Sequence, residues 1–209
     1  MAYATLDELK NRLRIPLHDG SQDEWLQTLL DAADISIEQL AGGRRFAVDT
    51  EETRGIDCSR EFVLGRILRL PWEMHTISAV VNGDGVTVTA TEFVTLPRLA
   101  SIVGGAVIAP TATNLTARPF YEIHLKSSSA KTWTYTDDWE SAISVTGYFG
   151  YSSAPPAPIR VAALDLAVHM YKVPEVVGRA IVSPDGMLLT PDAFPSHVID
   201  LVEPFRGYV

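Results

Sequence analysis

Residues 139–172, W-E-S-A-I-S-V-T-G-Y-F-G-Y-S-S-A-P-P-A-P-I-R-V-A-A-L-D-L-A-V-H-M-Y-K, contain the change of hydrophobic period that decides the fold. Apolar residues alternate over residues 143–148, which predicts a strand. After a proline-rich link the period becomes helical. Pro158 suits the first turn of a helix, because its missing N–H would have no partner there. The stretch therefore predicts a last strand followed by a helix over residues 158–172.

The predicted helix is apolar around most of its circumference, as is typical of a central helix. Its alanines allow neighbouring backbones to approach closely. Asp165 and His169 lie one turn apart and are predicted to pair. One side of the helix carries Ile159, Ala162, Ala163, Leu166, Ala167 and Met170.

Two helix start signals precede the middle of the chain. The sequence T-L-D-E at residues 5–8 has the form of a capping box and opens a short predicted helix that ends by Pro16. The sequence S-Q-D-E at residues 21–24 has the same form. It opens a longer helix whose apolar residues recur at steps of three and four as far as Leu40, where a Gly-Gly pair follows. Trp25 lies on this apolar stripe and is interpreted as a core residue.

The middle of the chain alternates apolar and polar residues, which is typical of antiparallel strands. Residues 44–58 are polar and are predicted to form a loop. Asn-Gly and Asp-Gly at residues 82–85 supply the positive φ angles that a hairpin needs. The predicted strands are residues 62–64, 67–70, 77–81, 86–90, 93–96, 102–108, 120–125, 132–135 and 143–148.

Together, these patterns predict an α+β fold, in which a discontinuous helical bundle of N- and C-terminal helices carries an inserted antiparallel β-rich domain. Residues 1–55 are predicted to form the N-terminal part of the bundle, 56–150 the insertion, and 151–209 the C-terminal part with a docking tail. Regular helix is expected to end at Val173-Pro174. The tail then contains a turn signal, S-P-D-G at residues 183–186, and a short closing helix to Val202.

Composition limits the classes of function. The 209 residues are 46% apolar, which can supply a substantial core, and the formal charge of −9 disfavours general nucleic-acid binding. The single cysteine, Cys58, excludes an internal disulfide framework. The N-terminus has no recognisable export signal and no apolar run approaches the length of a membrane span, so a soluble protein is expected.

Motifs of enzymes and cofactor sites are missing from the sequence. It contains no H-E-x-x-H, C-x-x-C, G-x-G-x-x-G or G-x-S-x-G, so neither a metal nor another cofactor is expected and the protein is predicted not to be an enzyme. Asp137, Asp138, Trp139 and Glu140 are interpreted as a hairpin turn. The same four residues leave an alternative open, namely a hydrolase or carbohydrate-binding module on the β-rich middle domain.

Three segments resemble a known family. Residues 2–13 (A-Y-A-T-L-D-E-L-K-N-R-L), residues 29–46 with their G-R-R-F end, and the strand and helix start I-S-V-T-G-Y-F-G-Y and P-P-A-P-I-R are similar to the head-to-tail connector proteins of tailed bacteriophages, also called head completion or adaptor proteins. The regions that contain these segments, residues 2–46 and 139–172, cover a little over a third of the chain.

The resemblance implies a structural virion protein in the neck, assembled in the host cytoplasm. Such proteins form a ring, commonly of twelve copies, beneath the portal protein. The ring prolongs the DNA channel and offers a platform for the stopper or tail-completion protein, with DNA only as passing cargo and no membrane partner.

Two sets of contact residues follow from this implied ring. Because the central helix carries more apolar cover than a small bundle needs, Ile159, Leu166 and Met170 are predicted to pack against a neighbouring subunit. Because a short C-terminal helix is marginal on its own, the large apolar groups Phe194, Phe205 and Tyr208 are predicted to dock on the portal or an adjacent ring.

Overall fold

The structure is a computed structural model that describes residues 2–98, 100–109, 118–177, 181–182, 188–189 and 194–206, with side chains for all of these except 173–177, 181–182 and 188–189. The elements in these ranges are the helices α1 Leu6–Leu13, α2 Asp23–Leu40, α3 Ala157–Val177 and α4 Ser196–Val202, a 3-10 turn Glu203–Phe205, and the strands β1 Glu52–Ile56, β2 Val63–Leu64, β3 Ile67–Met74, β4 Thr76–Val81, β5 Phe93–Leu96, β6 Ser101–Val103, β7 Ala106–Ile108, β8 Phe120–Leu125, β9 Ile143–Tyr148, β10 Ile181–Val182 and β11 Leu188–Leu189.

The chain is an α+β protein with helices toward both ends and an antiparallel β-rich middle, as predicted. It divides into two compact units. Residues 1–44 and 155–209 form the helical unit, and Arg45–Ala154 form the β unit.

In the helical unit, α3 is the central helix and packs against α1, α2 and α4. Its three inward alanines, Ala162, Ala163 and Ala167, are fully buried, as is appropriate where helix backbones approach closely. Helix α3 also runs through Pro174 to Val177, so the predicted end at Val173-Pro174 is wrong. A proline removes one backbone donor but holds a helical φ, which allows the helix to continue past it.

Only one of the two predicted capping boxes forms. The Thr5 side chain accepts from the Glu8 backbone and the Glu8 side chain accepts from the Thr5 backbone, which confirms the first box. At the start of α2 the N-cap is Gln22, without a side-chain cap, so the second box is wrong. The competing interaction is a tight turn, in which the Ser21 N–H donates to Asp19 Oδ1 at 3.0 Å.

The β unit contains two antiparallel sheets, with strand orders β1-β9-β4-β7-β6 and β2-β3-β8-β5. Inward residues of both sheets share one apolar core. Its fully buried members include Leu68, Met74, Val80, Phe120, Ile123, Ile143 and Val145. The predicted bounds of β5, β8 and β9 are confirmed.

One strand was missed, because residues 44–58 were predicted to be a loop and Glu52–Ile56 pair with β9 instead. The guanidinium of Arg54 lies over the rings of Phe149 and Trp72, at 4.2 Å and 5.0 Å from the ring centroids. Ile56 is buried in the core. A polar edge strand is stabilised here by cation–π contacts that the local sequence does not reveal.

Two predicted strands do not form, and a third prediction covers two strands. Residues 86–90 and 132–135 make only single bridges, Val81 with Thr87 and Gly83 with Tyr135. The buried carboxamide of Asn82 holds the second segment, because it donates to the Thr132 carbonyl at 2.9 Å and accepts from the Thr134 N–H at 3.1 Å. Residues 102–108 form the hairpin β6–β7, since Gly104 and Gly105 have positive φ angles.

The predicted turn at residues 183–186 lies outside the described residues, although the strands on either side of it, β10 and β11, pair with each other. In the part of the chain that the structure describes, no helix combines the length and apolarity needed to cross a membrane.

Candidate assembly surface of the helical unit

The three residues predicted to pack against a neighbouring subunit lie on α3. Ile159 and Leu166 are fully buried, and Met170 is half-buried. Since α3 contacts three helices of its own chain, the apolar side chains of Ile159 and Leu166 are covered within one copy. Their role in subunit contacts stays a prediction.

The residues predicted to dock on the portal have different surroundings. Phe205 is buried at 4% exposure, and its carbonyl oxygen accepts from the Arg44 guanidinium. Phe194 is half-buried, and Tyr208 lies outside the described residues. Val198 and Val202 of α4 are also buried. Helix α4 and Phe205 therefore belong to the core of the helical unit, and docking through Phe205 would require this segment to leave that core.

Asp165 joins three helices. Its carboxylate pairs with Arg12 of α1 at 2.5 Å and lies 3.5 Å from Nε2 of His197 on α4. These two partners come from helices that are distant from α3 in the sequence, and the predicted pair with His169 stays a prediction. A second ion pair, between Arg160 and Glu8, also joins α3 to α1.

The loop between α1 and α2 is fixed by a buried lysine. Lys10 is 2% exposed, and its ammonium donates to the carbonyls of Leu17 at 3.3 Å and Asp19 at 2.9 Å while pairing with Asp23. A buried ammonium is costly unless it is paired and hydrogen-bonded, and these three groups meet that need. The loop nevertheless exposes an apolar side chain, because Leu17 is 52% exposed.

Helix α2 has an apolar outer face as well as its buried face. Trp25 is 52% exposed and Ile35 is 57% exposed, so the interpretation of Trp25 as a core residue is wrong. Thr28 and Ala32 lie between them at helical spacing, and this set of four is called the α2 outer face below. The buried face of α2 is made instead by Leu26, Leu30, Ala33 and Ile37. These residues recur at steps of three and four from Leu26, and Trp25 lies outside that series, so the sequence spacing could have shown that Trp25 lies off the buried face.

Asp34 on the buried side of α2 anchors the start of the chain. It accepts the Tyr3 backbone N–H at 2.9 Å, and the Tyr3 hydroxyl donates to Glu38 at 2.5 Å. Burial raises the pKa of Asp34 to about 6, opposed by the Tyr3 hydrogen bond and assisted by the charges of Asp31 and Glu38. Its Oδ1 atom has no hydrogen-bond partner among the described residues.

The β unit contains an open cleft of about 440 Å³ around His75. His75 Nε2 donates to the Val48 carbonyl at 3.0 Å, and its Nδ1 lies 2.9 Å from the Thr76 hydroxyl. Burial lowers the pKa of His75, which the hydrogen bond to Val48 partly opposes. Both ring nitrogens are occupied, so neither is available as a base for Ser152 or Ser153 in the same cleft. The lining residues are Val48, Asp49, His75, Thr76, Ile108, Ala109, Tyr148, Ser152 and Ser153.

The acidic group at residues 137–140 lies in a loop before β9. Asp137, Asp138, Trp139 and Glu140 are all exposed, and the backbone of the loop is held by the Cys58 N–H donating to the Trp139 carbonyl at 2.8 Å. No carboxylate in this group is desolvated, as a general acid with a raised pKa would be. Across the described residues, no group of three or more His, Cys, Asp and Glu side chains is placed to hold a metal ion.

Comparison with solved structures identifies a protein of similar fold. No protein-family model and no curated protein sequence matches the chain. A solved structure described as the neck of an empty GTA particle computed with C6 symmetry, where GTA stands for gene transfer agent, has a similar fold. The TM-score is 0.52 at 17% identity, and the alignment covers 98% of this chain and 89% of the other. The likeness therefore extends over both units.

Proposed function

We propose that this protein is a structural component of the neck of a tailed, phage-like particle, namely a head-to-tail connector ring. In this proposal the ring binds beneath the portal protein, prolongs the DNA channel and provides the platform for the stopper or the tail. Copies assemble in the host cytoplasm and end in the virion.

The observation that carries the proposal is the fold likeness over 98% of the chain to a component of a GTA particle neck. That neighbour comes from a particle computed with C6 symmetry, which fits a protein that works as part of a cyclic assembly. The resemblance of residues 2–13, 29–46 and 143–172 to phage connector proteins points the same way independently of the structure.

The charge of the chain suits a channel wall. A formal charge of −9 repels the phosphate backbone at long range, so DNA can pass without being held. We propose twelve copies per ring, with the helical unit making the contacts between copies. The division into a bundle of residues 1–55 and 151–209 and an insertion of residues 56–150 belongs to the same proposal.

Electron microscopy of the purified protein, alone and mixed with the portal protein of the same particle, tests this function. A closed ring of this chain coaxial with the portal is the expected result. One or two copies on a portal ring, or no binding at protein concentrations of about 10 μM, would contradict the proposal. The number of copies is read from the same images.

The alternative, a hydrolase or carbohydrate-binding module, gains no support from the β unit. The acidic group at residues 137–140 is exposed in a loop, and both ring nitrogens of His75 are occupied by groups of the same chain. Binding of the monomer to an oligosaccharide array, with no ring formed, is the result that would favour it.

A further inference from the structure

We infer that neighbouring copies in the proposed ring meet through two helices, with the α2 outer face of one copy packed against the outer face of α3 in the next copy. The α3 outer face consists of Val161, Leu164, Val168 and Tyr171. This inference rests on the proposed function and names the two surfaces that the ring contact uses. It commits the α2 outer face to one occupant, a second copy of this chain.

The α3 outer face is apolar although it is turned away from the core of the helical unit. Val161 is 40% exposed, and Leu164, Val168 and Tyr171 are half-buried. At 3.6 residues per turn, this row lies roughly 150° around the helix from the fully buried residues of α3. An apolar row that the chain leaves partly uncovered marks a surface for another protein.

The two outer faces lie on different sides of the helical unit. Helices α2 and α3 pack against each other, and on each helix the buried residues lie opposite the outer face. The two outer faces therefore point away from each other, on the two sides of the α2–α3 pair. A head-to-tail ring needs such an arrangement, because every copy has one neighbour on each side.

The side chains of the two faces are complementary in spacing and in size. Successive residues of the α2 outer face are three, four and three positions apart, and so are those of the α3 outer face. This is the spacing of a seam in which two helices interlock their side chains. The middle residues of the α2 outer face, Thr28 and Ala32, are small, whereas those of the α3 outer face, Leu164 and Val168, are larger. The larger pair therefore fits over the smaller pair.

The direction of the helices sets the register of the contact. Within one copy α2 and α3 are antiparallel, because the Tyr171 hydroxyl near the end of α3 donates to Oε1 of Gln22, just before the first residue of α2, at 3.1 Å. Copies in a ring of twelve are related by a rotation of about 30°, so α2 of the next copy keeps nearly the same direction. The two faces thus meet in antiparallel, which places Thr28 opposite Val168 of the neighbouring copy.

The charge of α2 argues against a contact between two α2 outer faces. Helix α2 contains acids but no lysine, arginine or histidine. Glu24 and Asp31 are exposed at one border of its outer face. A symmetric antiparallel contact would bring these borders together, and like charges across an interface are unfavourable. The α2 outer face therefore fits a different surface of the next copy better than it fits itself.

The charges around the α3 outer face have cations outermost. Arg160 and Arg12 are 51% and 50% exposed, whereas the acids that pair with them, Glu8 and Asp165, are 27% and 22% exposed. Lys172 of α3 is also exposed. The acidic border of α2 thus meets a surface whose outer layer is positive, and complementary charges of this kind steer association and fix its register.

Disulfide cross-linking tests the contact in the intact protein. In a Cys58→Ser background, one chain carries both Thr28→Cys and Val168→Cys and is oxidised mildly with the portal protein present. We expect a ladder of linked copies up to a closed ring on a non-reducing gel, because the cysteines of adjacent copies lie opposite each other. The matched control replaces Val168→Cys by Val161→Cys, which is about 10 Å farther along the helix and should give no ladder.

Two results of this experiment would overturn the inference. Dimers from a protein that carries only Thr28→Cys would show a symmetric contact between α2 outer faces. A disulfide within one copy of the Thr28→Cys, Val168→Cys protein would show that the two faces do not lie on different sides of the helical unit.

A bulky charge at the centre of the α2 outer face gives a second readout. Ala32→Arg places a long side chain where Leu164 of the next copy packs, so we expect ring assembly to weaken by about tenfold or more. Native mass spectrometry and microscopy of the portal mixture measure this change. The control is Val86→Arg, at a site on the β unit that is 44% exposed, which should assemble like the unmodified protein.

Failure of this inference and failure of the proposed function are distinguishable. If the unmodified protein forms a ring on the portal but the double-cysteine protein gives no ladder and Ala32→Arg assembles normally, the contact is wrong and the function stands. If the unmodified protein forms no ring, both are wrong. Circular dichroism of each variant checks that it is folded.

Discussion

Gly147 of β9 lies so close to Thr76 of β4 that a Cβ atom on Gly147 would stand 2.1 Å from the Thr76 carbonyl oxygen. The same Cβ would meet Met74 Cε at 2.8 Å and Ile77 Cα at 3.1 Å. The register of this strand pair shifts between Ile77 and Ala79, next to the point of closest approach. The glycine is therefore required by the neighbouring backbone and not by its own φ angle.

We expect Gly147→Ala to lower the free energy of unfolding by about 3 kcal/mol or more, because two of the three close atoms belong to backbone that must move. Urea unfolding followed by tryptophan fluorescence measures the change. Gly20→Ala is the matched control, since its Cβ would meet only Asp23 Oδ2 at 3.7 Å, an ordinary contact. Equal stability of the two variants would mean that β4 and β9 are not paired this closely.

Asp34 should make the protein less stable as the pH rises. Its pKa is raised from 3.8 to about 6 in the folded protein, so the folded state favours the protonated form. The contribution of this residue is most favourable below about pH 4, falls between pH 4 and 6, and is constant above that range. We expect Asp34→Asn to be more stable than the unmodified protein by about 1 to 3 kcal/mol at pH 8, because asparagine can still accept the Tyr3 N–H.

The measurement is the free energy of unfolding of the unmodified protein and of Asp34→Asn as a function of pH. The difference between the two curves isolates Asp34, because the other carboxylates add the same pH dependence to both. The difference should vanish near pH 4 and level off above pH 6. A difference that is the same at every pH would show that folding does not raise the pKa of Asp34.

Lys10→Met keeps most of the buried side-chain volume but removes the hydrogen bonds to Leu17 and Asp19 and the pair with Asp23. We expect a loss of about 2 to 4 kcal/mol in the free energy of unfolding. Amide hydrogen exchange in residues 15–22 should also accelerate, because the loop loses its internal support. Lys172→Met, at an exposed site, is the control and should change neither quantity.

Removal of residues 192–209 tests the role of the C-terminal segment. Because Val198, Val202 and Phe205 are buried in the helical unit, we expect the truncated protein to have a melting temperature lower by several degrees, in line with a loss of about 3 kcal/mol or more. An unchanged melting temperature together with loss of binding to the portal would instead support the predicted docking role of Phe194, Phe205 and Tyr208.

A chain in which residues 1–55 are joined to 152–209 by a short linker tests the proposed division into domains. The helical unit has its own buried residues on α1, α2, α3 and α4, so we expect a helical circular dichroism spectrum with cooperative thermal unfolding. A spectrum without helix would show that the bundle needs the β-rich insertion.

The strands that could be predicted are those in which local pattern and tertiary burial agree. In β9, Ile143 and Val145 alternate with polar neighbours and are fully buried, so the sequence pattern was sufficient. In β1 the stabilising contacts of Arg54 come from Trp72 and Phe149, which are distant in the chain. No local pattern contains that information, and the segment was predicted to be a loop.

The exposed apolar residues of α2 were missed for a related reason. Periodicity separates apolar from polar positions but does not say which apolar positions a neighbouring helix covers. Ile159 and Leu166 are covered by the protein's own helices, whereas Trp25 and Ile35 remain exposed. Subunit contacts were therefore predicted on α3, whose Ile159 and Leu166 are fully buried, and the exposed Trp25 was assigned to the core.

The order of the elements along the chain has a consequence for how the protein is made. Helices α1 and α2 leave the ribosome before α3, against which both pack and which begins only at Ala157, after the whole β unit. At roughly 5 to 20 residues per second, the wait is of the order of 10 s. During that time Leu9, Leu26, Leu30 and Ile37, all fully buried in the finished protein, have no α3 to cover them. A nascent chain thus lacks the finished bundle until α3 has been synthesised, and we expect a copy to become competent for the proposed assembly only after that point.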